Sequence, residues 1–186
     1  MDKDGVLQDT KVRMKKATDL LKVELGKMRT GRASLSILDD VRVDYYGNPT
    51  PLNQVATLNI PDPRMITIQP WEANLISVIE KSIQKSGIGL NPANDGKMIR
   101  LPIPSLTEER RKELVKHIKQ HGEDSKVAVR NIRRDANEHL KKLEKEEHVS
   151  EDEIKKAQSD VQKLTDDFTK EIGEIVSHKE KEIMTV

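Results

Sequence analysis

Apolar residues recur at spacings of three and four over residues 112–142 and predict one long helix with two faces. Leu114, Ile118, Ala128, Ile132, Ala136 and Leu143 share one side, the stripe that a bundle helix buries. Lys112, Lys119, Lys126 and Arg133 repeat every seven residues on another side, and Arg130 and Asn137 join them. At ~100° per residue this basic row falls roughly 130° round from the stripe, so it faces water or a partner. The helix starts near Ser105 or Thr107. Ser105 with Glu108 fits a capping box, and Thr107 fits a simple cap before acidic residues. Gly122 lies inside and permits a slight bend or a close contact, at a cost of about 1 kcal/mol relative to alanine. The row breaks near His148. Ser150-Glu151-Asp152-Glu153 then reads as a second capping box, stapled by Val149 and Ile154. It opens a last helix through Ile154, Ala157, Val161, Leu164, Phe168, Ile172 and Ile175, ending near Ile183.

Upstream, residues 6–30 read as a first helix, with Leu7, Met14, Leu21 and Met28 in a heptad row filled in by Ala17 and Leu25. Lys15, Lys22 and Arg29 form a second row. Thr30-Gly31-Arg32-Ala33-Ser34 interrupts the pattern, so Gly31 marks a stop or a hinge. Over residues 35–104 the apolar period becomes two. Val41, Val43 and Tyr45 alternate, and Gly47-Asn48-Pro49-Thr50-Pro51 reads as a turn. Ala56, Leu58 and Ile60 alternate, as do Ile66 and Ile68, then Ile99, Leu101 and Ile103. Between them a short helix over residues 72–86 carries Ile76, Ile79 and Ile83 on one side, ended by Gly87 and Gly89. Asn94-Asp95-Gly96 is a hairpin signal.

The fold class expected is α+β: a three-helix antiparallel bundle with an inserted small β/α/β domain, in a two-domain, L-like arrangement. Residues 1–30 and 105–186 form the bundle and residues 31–104 the insertion. One helix cannot bury its own stripe, so the first helix must return to the last two. Two short connectors leave little to dock the bodies together, and relative motion is expected.

Charge sharpens this picture. The formal net charge of +1 conceals segregation. Residues 1–32 carry nine Lys/Arg against five Asp/Glu; residues 33–104 carry six against seven. Residues 110–134 carry nine against three, and residues 135–186 nine against fifteen. A basic patch so concentrated can bind phosphates while the rest of the surface repels them. No cysteine is present, which excludes disulfides and thiolate metal sites. No apolar run approaches the ~20 residues that span a bilayer, and no signal peptide is visible. The expectation is a cytoplasmic chain without a membrane role. His117 and His121 stand four apart, but Ile118 occupies the place where a zinc-protease motif needs glutamate, and no third ligand is evident. No nucleophile–base pair or glycine-rich phosphate loop appears, so no catalytic residue, metal or cofactor is assigned.

Several stretches together resemble the bacterial ribosome recycling factor family. They are Arg29-Thr30-Gly31-Arg32-Ala33-Ser34, Tyr45-Tyr46-Gly47-Asn48-Pro49-Thr50-Pro51-Leu52, Gly89-Leu90-Asn91-Pro92, Leu106-Thr107-Glu108-Glu109-Arg110-Arg111-Lys112, residues 127–137 and residues 160–166. The resemblance runs the length of the chain. It implies a factor that enters the ribosome after termination and splits it into subunits together with elongation factor G, on which GTP is hydrolysed. It implies that the bundle lies against large-subunit ribosomal RNA near the intersubunit bridges, and that the smaller domain faces the GTPase and swings. The RNA-binding candidates are Arg29, Arg32, Arg110, Arg111, Lys119, Lys126, Arg130, Arg133 and Arg134. The hinge candidates are Thr30, Gly31, Ile103, Pro104 and Ser105. A monomer is expected. From pattern alone the basic row could be a solvated face of a coiled-coil scaffold, the arginines at the first helix end could be dipole partners, and Gly31 could be only a helix cap.

Overall fold

The computed structural model describes residues 2–146 and 149–185. The break expected near His148 lies outside the described residues. Contacts divide the chain into two units. One takes the chain up to Met28 together with Glu108–Thr185, and the other is Arg29–Thr107. These boundaries fall two or three residues from those read in the sequence.

The first unit consists of three helices, α1 (Lys3–Gly26), α3 (Glu108–Glu146) and α4 (Glu151–Met184), and the helix α2 (Ile76–Lys85) belongs to the second unit. Val6 near the start of α1 packs with Ala136, Leu140 and Leu143 late in α3 and with Ile154, Ala157 and Val161 early in α4. Ion pairs Lys3–Glu153 and Lys22–Glu171 then climb α1 and α4 together, while Arg13 pairs with Asp135. So α1 and α4 run parallel, and α3 runs against both. Each exposed pair stabilises little; the apolar seam holds the bundle.

The starts of the helices follow from their caps. Asp2 Oδ1 accepts the Gly5 N–H at 2.8 Å and starts α1. Ser150 starts α4: its hydroxyl accepts from Glu153 N and donates to Glu153 Oε2 at 3.0 Å, and Val149 packs on the cluster that holds Ile154. α3 begins at Glu108, so Thr107 and not Ser105 immediately precedes it.

α1 departs from its expected pattern in two ways. It ends at Gly26, not near Thr30: the Lys27 N–H makes the last i−4 bond, to the Val23 carbonyl at 3.2 Å, and the Met28 N–H then takes the Leu25 carbonyl at 3.2 Å, the tighter spacing that closes a helix. Its buried row is Val6, Thr10, Met14, Thr18, Leu21 and Leu25, whereas Leu7, Ala17 and Met28 are only half-buried. Threonine can occupy such a row because its hydroxyl bonds within its own helix. Thr10 donates to Val6 O at 2.7 Å and Thr18 to Met14 O at 3.1 Å. Thr165 does the same on α4, to Val161 O at 2.8 Å.

In α3 the buried side is Leu114, Ile118, Gly122, Val129, Ile132, Ala136, Leu140 and Leu143, with Ala128 only half-buried. Gly122 is a close contact: a Cβ there would lie 2.5 Å from Val176 Cγ2 of α4.

The second unit holds strands β1 (Arg42–Tyr45), β2 (Asn48–Pro51), β3 (Ala56–Asp62), β4 (Met65–Pro70), β5 (Ala93–Asn94) and β6 (Ile99–Pro102), with helix α2 (Ile76–Lys85) between β4 and β5. β1 and β2 form a two-stranded antiparallel ribbon. The other four form an antiparallel sheet in the order β3-β4-β6-β5. Ile66, Ile68, Ile99 and Leu101 from the central strands meet Ile76, Ile79 and Ile83 of α2 in one core, which Val41 and Val43 join.

Two expectations here are corrected. Asn48-Pro49-Thr50-Pro51 is a strand, not part of the turn. It lies at the edge of a ribbon, where missing proline N–H groups cost nothing, and the turn itself is only Tyr46-Gly47. Ile60 does not follow Ala56 and Leu58 inward; it is 41% exposed. The β3–β4 register slips by one between Asn59 and Asp62, and such a bulge reverses the alternation.

Candidate nucleic-acid interface

Helical geometry sets Lys112, Lys119, Lys126 and Arg133 on one line along α3. With Gly122, Val129 and Leu140 on the buried side, that line lies about 90° from the centre of burial, not 130°. It therefore runs beside the seam with α4. Lys126 and Arg133 are half-buried by their stems, whereas Lys119, Arg130 and Arg134 are exposed. Lysine and arginine stems can pack on apolar surface with the charged head still in water.

The cations differ in what they already hold. Arg130 Nη2 donates to Glu123 Oε1 at 2.6 Å, two turns back, and its Nε reaches the Lys126 carbonyl at 3.3 Å. Arg110 Nη1 donates to Glu113 Oε2 at 2.6 Å, and that guanidinium holds the Glu113 carboxyl below the usual range. Lys112 pairs with Glu108 at 3.1 Å. Arg133 instead donates to the neutral side-chain oxygen of Gln162 on α4 at 3.2 Å, and Gln162 in turn donates to Asp166 at 2.8 Å. Arg133 is thus oriented by a hydrogen bond while its charge stays uncancelled. Among the described residues Lys119, Lys126 and Arg134 make no ion pair. Lys119 and Arg133 stand fourteen residues apart, roughly 20 Å along the axis. Shallow hollows flank the ends of this run. One is lined by Lys112, Lys116, Lys119 and Glu123 among others, the other by Arg133, Arg134, Asn137, Glu138, Lys141 and Gln162.

Not all nine candidates come together. Lys119, Lys126, Arg130, Arg133 and Arg134 share the face. Arg110 falls on the far side of α3 by helical phase, and Arg111 is half-buried near its start. Arg29 and Arg32, both exposed, belong to the second unit. Arg29 Nη1 lies 3.6 Å from where a Cβ on Gly89 would sit, beside the second unit's own backbone. Gln162 and Lys141 were missed in the sequence. Lys141 shares the helical phase of Arg130 and Arg134 and was legible. Gln162, neutral and on another helix, carries no signal in the pattern of charge.

The connector residues also have definite surroundings. Thr30 and Gly31 are buried, and Gly31 has φ +77°, which L side chains rarely adopt. A Cβ there would meet Leu106 Cγ at 3.2 Å. The Ala33 N–H donates to Pro63 O at 2.7 Å and the Ile103 N–H to Arg64 O at 2.8 Å, so the β3–β4 turn grips both connectors. Pro104 and Ser105 are exposed. His117 is exposed and His121 half-buried; among the described residues no three metal-ligating side chains converge.

A family model described as ribosome recycling factor matches residues 21–184. The ribosome-recycling factor of Nitratidesulfovibrio vulgaris is 58% identical over 186 residues, covering 100% of both chains. The chain belongs to the ribosome recycling factor family. A solution structure of a ribosome recycling factor superposes with TM-score 0.78 at 40% identity, covering 100% of this chain and 99% of that one. A second match, TM-score 0.64 at 45% identity over 98% of this chain and 99% of that one, comes from models of the T. thermophilus ribosome recycling factor and E. coli elongation factor G bound to the E. coli post-termination complex. The family's α+β build, long helices plus a small antiparallel sheet unit, is the build described above. Among the described residues no helix is long and apolar enough to cross a membrane.

Proposed function

We propose that this chain releases and recycles ribosomes after termination, splitting the post-termination complex into subunits together with elongation factor G and GTP. It acts in the cytoplasm, as a monomer and as a translation factor; the GTP chemistry belongs to its partner. The three-helix unit binds large-subunit ribosomal RNA in the intersubunit region through the α3 face, and the sheet unit engages the GTPase. Thr30, Gly31, Ile103, Pro104 and Ser105 form the joint, with Gly31 supplying the change in backbone angle and Pro104 stiffening the second crossing. The assignment to a post-termination ribosome is supported by the relative placed there with elongation factor G.

The observation that carries the RNA reading is Arg133: an oriented guanidinium with no acidic partner among the described residues, in line with Lys119 and Lys126, which make no ion pair among them either. A cation that must meet a phosphate is most effective when its charge is not already spent internally. Arg133→Ala should weaken ribosome binding by about 1.5 kcal/mol or more, roughly tenfold, with an unchanged unfolding midpoint. Arg130→Ala should cost less, because Glu123 already offsets that charge. Normal binding by Arg133→Ala, or loss only through unfolding, would remove the assignment.

A further inference from the structure

The β1–β2 turn is made by a residue poorly suited to it. Tyr46 and Gly47 have φ +49° and +84°, and Tyr46 is the only non-glycine with positive φ among the described residues. Two positive values define the tight hairpin turn that favours asparagine, aspartate or glycine at its first position. A bulky side chain there is an outlier, and such strain persists where the surroundings impose it and function uses it. Burial does not explain it, since Tyr46 is 72% exposed.

What holds Tyr46 is a carboxylate. The Tyr45 and Tyr46 hydroxyls donate to opposite oxygens of Glu72, at 2.9 and 3.0 Å, and the two rings meet edge to face with centroids 4.7 Å apart. The bond to Glu72 also pushes the Tyr45 phenol above its ordinary value. Each Glu72 oxygen accepts one phenol and keeps a second lone pair. Trp71, the preceding residue, is 63% exposed, and its indole N–H is fixed on Thr57 Oγ1 at 2.9 Å. Rigid, exposed Tyr and Trp side chains supply contact area at low entropic cost and concentrate at protein interfaces.

The charge around them selects the partner. Asp39, Asp40 and Asp44 stand on or beside β1, and with Glu72 they outnumber Arg42, whose Nη1 is turned to the carbonyls of Asp39 and Val41. At the turn itself Glu72 is joined by Asp44, whose Oδ1 accepts the Gly47 N–H at 2.8 Å, and two carboxylates there favour a cation over a phosphate. A guanidinium could bridge the remaining lone pairs of Glu72 and stack on the exposed Tyr46 ring. We infer that Tyr45, Tyr46, Glu72 and Trp71 form the docking site through which the sheet unit takes an arginine, flanked by apolar residues, of the partner GTPase. This rests on the reading that the sheet unit meets that GTPase.

The full-length chain, carrying a photo-cross-linking phenylalanine analogue in place of Tyr46, Gln84 or Lys97 in turn, is irradiated on purified post-termination ribosomes with elongation factor G and GTP. The analogue at position 46 is expected to cross-link to elongation factor G. A cross-link from there to ribosomal RNA or a ribosomal protein, or none, overturns the site. If positions 84 or 97 then still reach the GTPase, the wider reading survives; if no position does, that reading falls too. In parallel, Tyr46→Asn and Glu72→Gln should each slow subunit splitting by at least about fivefold with unchanged ribosome binding. Tyr46→Asn should melt no lower than the parent, since asparagine suits the turn. Normal splitting by both variants, or a fall in splitting matched by a fall in melting temperature, overturns the proposal.

Discussion

Gly122→Ala is usually a stabilising change in a helix interior, worth about 1 kcal/mol. Here it should destabilise. The new Cβ would lie 2.5 Å from Val176 Cγ2, against the ~3.5–4 Å of a relaxed carbon contact. Valine in a helix is held to one side-chain rotamer and cannot swing clear, so α3 and α4 must part. Overpacking of this kind costs about 1–3 kcal/mol, which leaves a net loss of up to about 2 kcal/mol after the propensity gain. Urea denaturation followed by far-UV circular dichroism measures it. The double variant Gly122→Ala/Val176→Ala should recover stability relative to the sum of the single changes, with a coupling of about 1 kcal/mol or more. A Gly122→Ala protein more stable than the parent by the full propensity gain would refute the claim that Gly122 sets the α3–α4 separation, on which the Arg133–Gln162 contact also depends.

Gly31→Val must place a β-branched residue at φ +77° and against Leu106, so it should keep helix content and ribosome affinity but reduce subunit splitting; normal splitting would favour a simple cap role. Acid should loosen the bundle in a particular window. Ser150 and Lys3 hold the Glu153 carboxyl below its ordinary value, as Lys155 holds Glu151 and Arg110 holds Glu113. A depressed folded value means stabilisation that is complete above the unfolded carboxylate range, about pH 4.3, and lost as pH falls through the folded value. Denaturation midpoints between pH 6 and 3 should therefore drop, and drop less in Glu153→Gln. Ser150→Ala removes the α4 cap and should cost about 1 kcal/mol by urea denaturation.

Much of this was legible in the chain. Spacings of three and four in α4, from Ile154 to Ile172, and the alternation of Ile66–Ile68 and Ile99–Leu101 required no tertiary knowledge, because each element is amphipathic on its own. The misses have a common cause: a partner decided them. Thr10, Thr18 and Thr165 read as polar until their hydroxyls are spent on the preceding turn. Asn-Pro-Thr-Pro read as a turn because composition speaks for loops, yet β1 supplied an edge to pair with. A bulge turned Ile60 outward. On the basic face of α3, spacing aligned the cations. It could not tell that Glu123 claims Arg130 while Gln162 leaves the charge of Arg133 open. The pairing of both tyrosines with Glu72, 26 and 27 residues away, left no trace in the local pattern.

The central claim, that the unpaired cations of α3 meet ribosomal phosphates, is tested most directly by salt dependence. Binding of the parent and of Lys119→Ala/Lys126→Ala/Arg133→Ala to ribosomes is measured across potassium chloride concentrations. Each lost phosphate contact should flatten the slope of log K against log salt by about 0.7–1, so the triple variant should lose about two to three. Its unfolding midpoint should match the parent's. A triple variant with the parent's slope would contradict the account.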